Sequence, residues 1–288
     1  MGTKIDGNTH LFAVIGDPIA QSISPEMHNR IFEKMNANKA YMPLRIKPQD
    51  VEGAIPLLRD NFKGFNVTIP HKQEIMKYLD EIDQRAKDYG AVNTVKIENG
   101  KLKGYNTDGL GFVRSIEKEG IKLKDKRVLL LGAGGSSRVV AYELLLGGCH
   151  VTVSNRNLKR AEELKKELIK STGNQNIDAC DLEQIKKGYH YIVNATPVGT
   201  YPATEAMAIS EDAIGGAELV YDLIYNPDQT KLLKAAAAGG SRTINGFPML
   251  FYQAVKAQEI WLGQPIPEEV TAQVFEEMKS YVLKKLGK

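Results

Sequence analysis

The first group of residues with side chains suited to binding and catalysis lies around Lys72. This lysine follows an alternating segment, 64–69, in which Asn66 and Thr68 share one face. That face would present an amide, a hydroxyl and an ammonium group to a polar molecule, and the ammonium could take part in proton transfer. A lone lysine just past a strand is otherwise usually a solvated charge, and this alternative stays open.

A predicted β-hairpin brings a second set of polar groups together. Asn99-Gly100 lies between alternating segments, which is a strong hairpin signal. The hairpin would place Asn93-Thr94 beside Asn106-Thr107-Asp108, so that two amides, two hydroxyls and a carboxylate meet at its open end. Alternatively, Asp108 only caps the helix predicted over 110–119.

The stretch 126–138 has the pattern of a strand, a glycine turn and a helix. Its apolar run, 128–131, predicts a parallel strand that is covered on both faces. A pyrophosphate would sit on the N-terminus of the next helix, near Ser136. Ser137 stands where the third glycine of the dinucleotide fingerprint is expected, and a tight turn without a ligand remains the alternative. The glycines that would let the backbone approach the pyrophosphate are Gly132, Gly134 and Gly135.

The next predicted strand, 150–154, ends where a dinucleotide-binding domain selects its cofactor. Asn155 and Arg156 stand there, whereas an NAD enzyme would have an acid for the ribose 2′-hydroxyl. Arg160 lies one helical turn further on, so both guanidinium groups can close on one 2′-phosphate. The pattern favours NADP over the alternative of a solvated basic helix start.

These groups must be positioned by strands and helices that alternate along the chain, which is typical of an α/β fold. Ser24 is predicted to be the N-cap of the first helix, with Pro25 at its first position. The predicted strands are 10–16, 40–46, 64–69, 95–98, 101–105, 128–131, 150–154, 189–194, 218–224 and 242–245. The later helices are predicted over 49–60, 80–89, 110–119, 247–262 and 267–286.

The pattern predicts two domains. Residues 1–105 would form an N-terminal α/β domain with a mainly parallel sheet, and the C-terminal helices, 247–288, would return to complete it. Residues 106–246 would form a Rossmann domain that binds the dinucleotide.

Composition narrows the class of protein. The 288 residues are 42% hydrophobic and 25% charged, which is ordinary for a globular chain of this length. The formal charge of +3 and the lack of a long basic run indicate neither nucleic acid nor an anionic membrane as a partner. No apolar stretch has transmembrane length, and the N-terminal residues lack the apolar core of a signal peptide. The two cysteines predict neither a disulfide framework nor a zinc site, so a cytoplasmic enzyme without a metal is expected.

Taken in order, the motifs resemble those of the shikimate dehydrogenase family. The resemblance covers nearly the whole chain, and the combination is specific although each motif alone is weak. It implies an NADP-dependent enzyme of aromatic amino acid biosynthesis that interconverts shikimate and 3-dehydroshikimate. The motifs are Ser22-x-Ser24-Pro, Asn66-Val-Thr-x-Pro-x-Lys72, Asn93-Thr, Asn106-Thr-Asp108, Gly132-Ala-Gly-Gly and Asn155-Arg156.

The resemblance also implies roles for individual residues. Lys72 and Asp108 would form the catalytic pair. The residues implied to bind the substrate are Ser22, Ser24, Thr68, Asn93, Tyr225 and Gln253. Those implied to bind NADP are Gly132, Gly134, Gly135, Ser136, Asn155, Arg156, Arg160, Thr196, Gly246 and Met249.

Two residues depart from the family pattern, and three questions stay open. Thr200 stands where the family often has Met, and Asn157 where it often has Thr.

A quinate/shikimate dehydrogenase of broader substrate or cofactor range shares nearly all the motifs. A non-catalytic NADP sensor is the alternative from another class. The chain is expected to be a monomer or a homodimer.

Overall fold

A computed structural model describes residues 5–286 of the chain. By contacts between Cα atoms the chain divides into two compact units. Among the described residues, the first comprises 5–111 together with Phe251–Lys279, and the second comprises Phe112–Leu250 together with 280–286.

The N-terminal part of the chain builds a six-stranded sheet with the order β2-β1-β3-β5-β6-β4. Strand pairs β1/β2, β1/β3 and β4/β6 are parallel, whereas β3/β5 and β5/β6 are antiparallel. The elements are β1 (His10–Gly16), α1 (Ser24–Lys34), β2 (Lys39–Arg45), α2 (Val51–Asn61), β3 (Phe62–Val67), β4 (Glu81–Ile82), α3 (Gln84–Tyr89), β5 (Thr94–Glu98), β6 (Lys101–Tyr105) and α4 (Asp108–Lys118).

The rest of the chain builds a second six-stranded sheet with the order β12-β11-β10-β7-β8-β9, and all its strand pairs are parallel. Relative to the first strand of this unit the order is that of the doubly wound Rossmann fold. The elements are β7 (Arg127–Leu131), α5 (Gly135–Leu146), β8 (His150–Ser154), α6 (Leu158–Thr172), β9 (Ile177–Cys180), β10 (Tyr191–Asn194), α7 (Glu211–Ile214), β11 (Leu219–Asp222), α8 (Lys231–Ala238) and β12 (Arg242–Ile244). Two helices follow, α9 (Phe247–Leu262) and α10 (Glu268–Leu286), and most of their residues belong to the first unit.

Strand β1 shows why the first sheet is buried on both faces. Ala13 and Ile15 pack into one apolar cluster with α2 and β3, while Phe12 and Val14 pack into another. The second cluster includes Trp261 of α9, whose indole Nε1 donates to the backbone oxygen of Val95 at 2.9 Å. Alternation of side chains along the strand therefore supplies two cores at once.

The strand bounds agree with the sequence predictions to within a few residues, but two local predictions are wrong. Helix α1 begins at Ser24 itself and follows Ile23, so Ser24 is not its N-cap, although Pro25 does lie in its first turn. The helix predicted over 80–89 begins only at Gln84, because Glu81–Ile82 pair with β6 as a short parallel strand.

His28 of α1 is a fully buried titratable group in the first unit. Its ring stacks on Tyr41 with centroids 4.2 Å apart, and its Nδ1 lies 3.1 Å from Nε2 of Gln258. Burial lowers the pKa of His28 from 6.5 to about 3, because a charged imidazolium would lose its hydration there.

We expect His28 to make the protein acid-sensitive. Between pH 6.5 and 3 the unfolded chain binds a proton at this residue that the folded chain does not, so stability falls as the pH falls. By pH 5 the loss should be about 2 kcal/mol. Urea unfolding of the wild type and of His28→Gln at pH 7 and pH 5 measures it, with the exposed His10→Gln as control. The same pH dependence in wild type and His28→Gln would contradict the expectation.

Candidate active site

Lys72 and Asp108 form an ion pair in the first unit. Lys72 follows β3, and its Nζ lies 2.6 Å from Oδ2 of Asp108 at the start of α4. The backbone of Lys72 is also fixed, since its carbonyl oxygen accepts a hydrogen bond from Val92 N at 2.8 Å. Both side chains are partly exposed, at 31% and 22%, so a ligand can reach the pair.

Asn93 at the open end of the hairpin fixes the orientation of Asp108. Its Nδ2 donates to Oδ1 of Asp108 at 2.8 Å, and its Oδ1 accepts from the backbone N of Thr107 at 2.8 Å. The hairpin itself is as predicted, with Asn99 and Gly100 in left-handed conformations. Asn93 is buried and bonded on both sides of its amide, so it holds the carboxylate of Asp108 in one orientation.

Gln253 of α9 joins the same group from the other end of the chain. Its Oε1 accepts a hydrogen bond from Oγ1 of Thr107 at 3.3 Å, and the residue is 9% exposed. A sequence separation of more than a hundred residues is closed here by packing of α9 on the first unit. We call this group the Lys72 cluster, defined as Lys72, Asn93, Thr107, Asp108 and Gln253.

Ser22, Ser24 and Thr68 lie near the carboxyl ends of the parallel strands β1 and β3, the edge at which open α/β sheets bind ligands. Oγ of Ser22 accepts from the backbone N of Ser24 at 3.3 Å. Thr68 is bonded through its backbone N to Ile15 O at 2.9 Å. A Cβ at Gly16 would lie only 2.4 Å from Cγ2 of Thr68, so glycine is required for Thr68 to pass this closely.

Asn66 does not face a ligand-binding surface as the alternating pattern predicted. It is 7% exposed, and its Nδ2 donates to Asn93 O at 3.0 Å and to Thr94 Oγ1 at 2.9 Å. Its Oδ1 accepts from the hydroxyl of Tyr41 at 2.7 Å. Asn66 therefore ties β3 to the hairpin at whose open end Asn93 and Thr107 lie.

In the second unit, a pocket of ≈ 540 Å³ lies at the carboxyl ends of β7, β8 and β10. The sheet order reverses between β7 and β10, and doubly wound sheets bind nucleotides at this switch point. We call it the glycine-turn pocket. The sequence-predicted residues that line it are Gly132, Gly134, Asn155, Arg156, Arg160 and Thr196.

The glycine turn fits the close approach of a pyrophosphate. Gly132 has a φ of +106°, and a Cβ there would meet Ser137 Oγ at 3.0 Å and Ala195 O at 3.2 Å. Gly134 and Gly135 have open space around the position of a Cβ, at the N-terminus of α5. Ser137, in place of the third glycine, is buried, and its Oγ accepts from Gly134 N at 3.3 Å. The serine therefore supports the turn, and Ser136 is exposed beside it.

Arg156 and Arg160 both line the glycine-turn pocket, Arg156 just before α6 and Arg160 in its first turn. Both side chains are exposed, and no carboxylate within residues 5–286 forms an ion pair with either. Asn155 donates through Nδ2 to Asn157 O at 3.0 Å, which shapes the turn that presents the arginines. These two guanidinium groups are thus available to an anion.

Of the other predicted residues of the second unit, Thr196, Tyr225 and Gly246 lie on loops, and Met249 lies in α9. Thr196 donates through Oγ1 to Asn194 Oδ1 at 2.7 Å. A Cβ at Gly246 would lie 2.0 Å from Leu223 O, so no other residue fits there. Tyr225 is partly buried, which raises the pKa of its phenol, and Met249 is half-buried near the start of α9. Tyr225, Gly246 and Met249 all belong to the second unit, whereas the residues of the Lys72 cluster belong to the first.

Thr200, where the family often has Met, makes a contact that the sequence did not predict. Its Oγ1 donates to the backbone oxygen of Asn226 at 3.2 Å, and the backbone N of Tyr201 donates to the same oxygen at 3.1 Å. Thr200 therefore ties the loop after β10 to the loop that carries Tyr225.

The part of the chain that the structure describes contains neither a metal site nor a membrane-spanning helix. No group of three or more His, Cys, Asp or Glu side chains there is arranged to hold a metal ion. None of the helices within residues 5–286 is both long and apolar enough to cross a bilayer.

The doubly wound sheet, its glycine turn and the lysine–carboxylate pair define a class of protein, the dinucleotide-dependent oxidoreductases. Two family models match the chain, "Shikimate dehydrogenase substrate binding domain" over residues 14–95 and "Shikimate / quinate 5-dehydrogenase" over residues 114–213. The shikimate dehydrogenase (NADP(+)) of Carboxydothermus hydrogenoformans is 41% identical over 271 residues, which are 93% of this chain and 96% of that protein. The chain belongs to the shikimate dehydrogenase family.

Solved structures agree with this family. A crystal structure of a shikimate dehydrogenase in complex with NADP⁺ is similar with a TM-score of 0.91 and 39% identity, over 96% of this chain and 98% of that one. A shikimate 5-dehydrogenase from Thermus thermophilus, in complex with NADP(H) and shikimate, has a TM-score of 0.85 and 33% identity, over 93% and 99% of the two chains. The predicted family and the predicted α/β fold class are both confirmed.

Proposed function

We propose that this chain catalyses the reversible oxidation of shikimate to 3-dehydroshikimate with NADP. The observation that carries the proposal is the Lys72–Asp108 ion pair at 2.6 Å, set within the amides and hydroxyls of the Lys72 cluster. Shikimate is a polyhydroxylated acid, so a site rich in such groups suits it. The names of the relatives, shikimate dehydrogenase (NADP(+)), agree with the predicted reaction and the predicted cofactor.

The Lys72 cluster would bind the substrate and handle its proton. In the oxidation, the neutral amine form of Lys72 would take the hydroxyl proton of the substrate as the ketone forms, and in the reduction the ammonium form would give a proton to the ketone oxygen. Asp108, oriented by Asn93, holds Lys72 in place. Ser22, Ser24, Thr68, Tyr225 and Gln253 are proposed as further ligands of the substrate hydroxyls and carboxylate.

The glycine-turn pocket would hold NADP, which supplies hydride transfer when bound. The turn from Gly132 to Gly135 and the N-terminus of α5, with Ser136, fit its pyrophosphate. Asn155, Arg156 and Arg160 fit the 2′-phosphate, since two guanidinium groups line the pocket. Thr196, Gly246 and Met249 are proposed to lie near the nicotinamide.

Several wider predictions are also proposed here. Residues 1–105 with 247–288 would form the substrate-binding domain and 106–246 the NADP-binding domain. A cytoplasmic location is supported by the two cysteines, Cys149 and Cys180, which are unpaired. The net charge of only +3 supports a protein that does not bind nucleic acid. The chain is also proposed to be a monomer or a homodimer.

An assay of the purified chain with shikimate and NADP⁺ tests the proposal. We expect the absorbance of reduced nicotinamide to grow, and kcat/KM for shikimate to exceed that for quinate. A greater kcat/KM for quinate would favour the broader quinate/shikimate dehydrogenase. Binding of NADP⁺ without turnover of either acid would favour the non-catalytic sensor.

A further inference from the structure

Asp222, the last residue of β11, is a fully buried carboxylate that no sequence motif singled out. It accepts hydrogen bonds from Asn194 Nδ2 at 3.0 Å, from the backbone N of Ile224 at 3.1 Å and from Thr230 Oγ1 at 2.7 Å. Among the described residues, no lysine, arginine or histidine is bonded to it. Three neutral donors from three separate segments therefore meet on one carboxylate.

The carboxylate determines which way the amide of Asn194 points. An ionised carboxylate can only accept hydrogen bonds, so the NH₂ group of Asn194 must face Asp222. The carbonyl Oδ1 of Asn194 must then face the opposite way, where it accepts from Thr196 N at 3.1 Å and from Thr196 Oγ1 at 2.7 Å. A reversed amide would lose these bonds to Thr196 as well as the bond to Asp222.

Thr196 in turn shapes one wall of the glycine-turn pocket. Its Oγ1 accepts from the backbone N of Val198 at 3.2 Å, and the segment 195–198 lines the pocket. The wall is close to the glycine turn, since a Cβ at Gly132 would lie 3.1 Å from Cγ2 of Thr196. A small displacement of Thr196 would therefore change the width of the pocket.

Asp222 also accepts a hydrogen bond from Thr230, which does not line the pocket. Thr230 is the N-cap of α8, and its Oγ1 accepts from Leu233 N at 3.3 Å. Neither Thr230 nor Leu233 lines the glycine-turn pocket. The two oxygens of the Asp222 carboxylate therefore have different partners. Oδ1 accepts from Asn194, which supports the pocket wall, and Oδ2 accepts from Thr230, which caps α8.

We propose that Asp222 is a positioning residue for the cofactor: through Asn194 it holds the segment 195–198 in the conformation that binds the dinucleotide. The proposal rests on the proposed binding of NADP. Its burial is consistent with such a role, since burial raises the pKa of Asp222 to about 6 and a buried carboxylate without a cation is destabilising.

Calorimetric titration of the full chain with NADP⁺ tests this role. Asp222→Ala should weaken NADP⁺ binding by about 10-fold, the effect of losing one well-placed hydrogen-bonded contact. Thr230→Val is the matched control, because it removes a hydrogen bond to the same carboxylate from a residue that does not line the pocket. Both variants should lower the melting temperature, but Thr230→Val should change the Kd for NADP⁺ by no more than about twofold.

Asp222→Asn gives a rescue. Its side-chain oxygen can still accept from Asn194 and Ile224, while its NH₂ group faces the hydroxyl of Thr230, which can turn to accept. The Kd for NADP⁺ should then return to within about threefold of the wild type. In the double variant with Asn194→Ala, Asp222→Ala should add no more than about twofold to the effect of Asn194→Ala alone, because both act along one path.

Three results would overturn the proposal. They are an unchanged Kd in Asp222→Ala, an equal loss in Thr230→Val, or additive effects in the double variant. Should Asp222→Ala not fold, Asn194→Ala alone decides, since it leaves Asp222 with two donors and should still weaken NADP⁺ by about 10-fold. A wild type that does not bind NADP⁺ would instead contradict the proposed function.

Discussion

Replacing Lys72 by Ala is expected to lower kcat for shikimate oxidation by about 10²- to 10⁴-fold, the usual loss when a general acid–base group is removed. The reason is that the side chain of Lys72, 2.6 Å from the Asp108 carboxylate, is proposed to accept the substrate proton as a neutral amine and to return it as an ammonium in the reverse reaction. KM for shikimate should change much less, because the amides and hydroxyls that would bind the acid remain. Steady-state kinetics over a range of shikimate concentrations separate the two effects.

Lys77→Ala is a matched control for this experiment. Lys77 also forms an ion pair at 2.6 Å, with Glu74, but its side chain is 67% exposed and lies outside the Lys72 cluster. Its removal should leave kcat nearly unchanged, since Lys77 lies outside the proposed site and an exposed ion pair contributes little to the stability of the fold. NADP⁺ binding by Lys72→Ala should equal that of the wild type, which shows that the variant is folded. If Lys72→Ala kept most of its kcat, Lys72 would have no part in the chemistry.

The parts of the fold that the sequence predicted are those that depend on local interactions. The hairpin at Asn99-Gly100 needs a backbone that turns through left-handed conformations, and these two residues adopt them at little cost. The turn after β7 needs Gly132 at a φ of +106°, next to an apolar run that forms a buried strand. In both cases the residue type and its nearest neighbours determine the conformation.

Most of what the sequence did not reveal depends on partners far away in sequence, whereas the N-cap of α1 was misplaced by only one residue. Strand β4, Glu81–Ile82, forms because β6 offers it an edge, so a helical pattern over 80–89 could not reveal it. Asn66 lies on the polar face of its strand as expected, but Tyr41 and the hairpin cover that face. Asp222 and Asn194 stand at the ends of neighbouring strands, and only the register between β10 and β11 brings them together.

The double change Arg156→Ala, Arg160→Ala is expected to abolish the preference for NADP over NAD. Both guanidinium groups line the glycine-turn pocket, and no carboxylate within residues 5–286 neutralises either. A charge-assisted hydrogen bond contributes about 1.5 to 3 kcal/mol, so losing one arginine should weaken NADP binding by about 10- to 100-fold. The two losses need not add, because one guanidinium can shift to cover for the other.

The control for this prediction is Lys159→Ala, Lys166→Ala. These lysines are exposed on the same helix, α6, but do not line the pocket, so the variant loses the same charge without the proposed contacts. We expect it to keep the preference for NADP, and we expect binding of NAD, which has no 2′-phosphate, to stay within about threefold in both variants. Raising the salt concentration should weaken NADP binding more than NAD binding, since the arginines are exposed to solvent. Equal wild-type kcat/KM values for NAD and NADP would mean that the arginines are only a solvated basic surface, because a clamp on the 2′-phosphate must discriminate between the two cofactors.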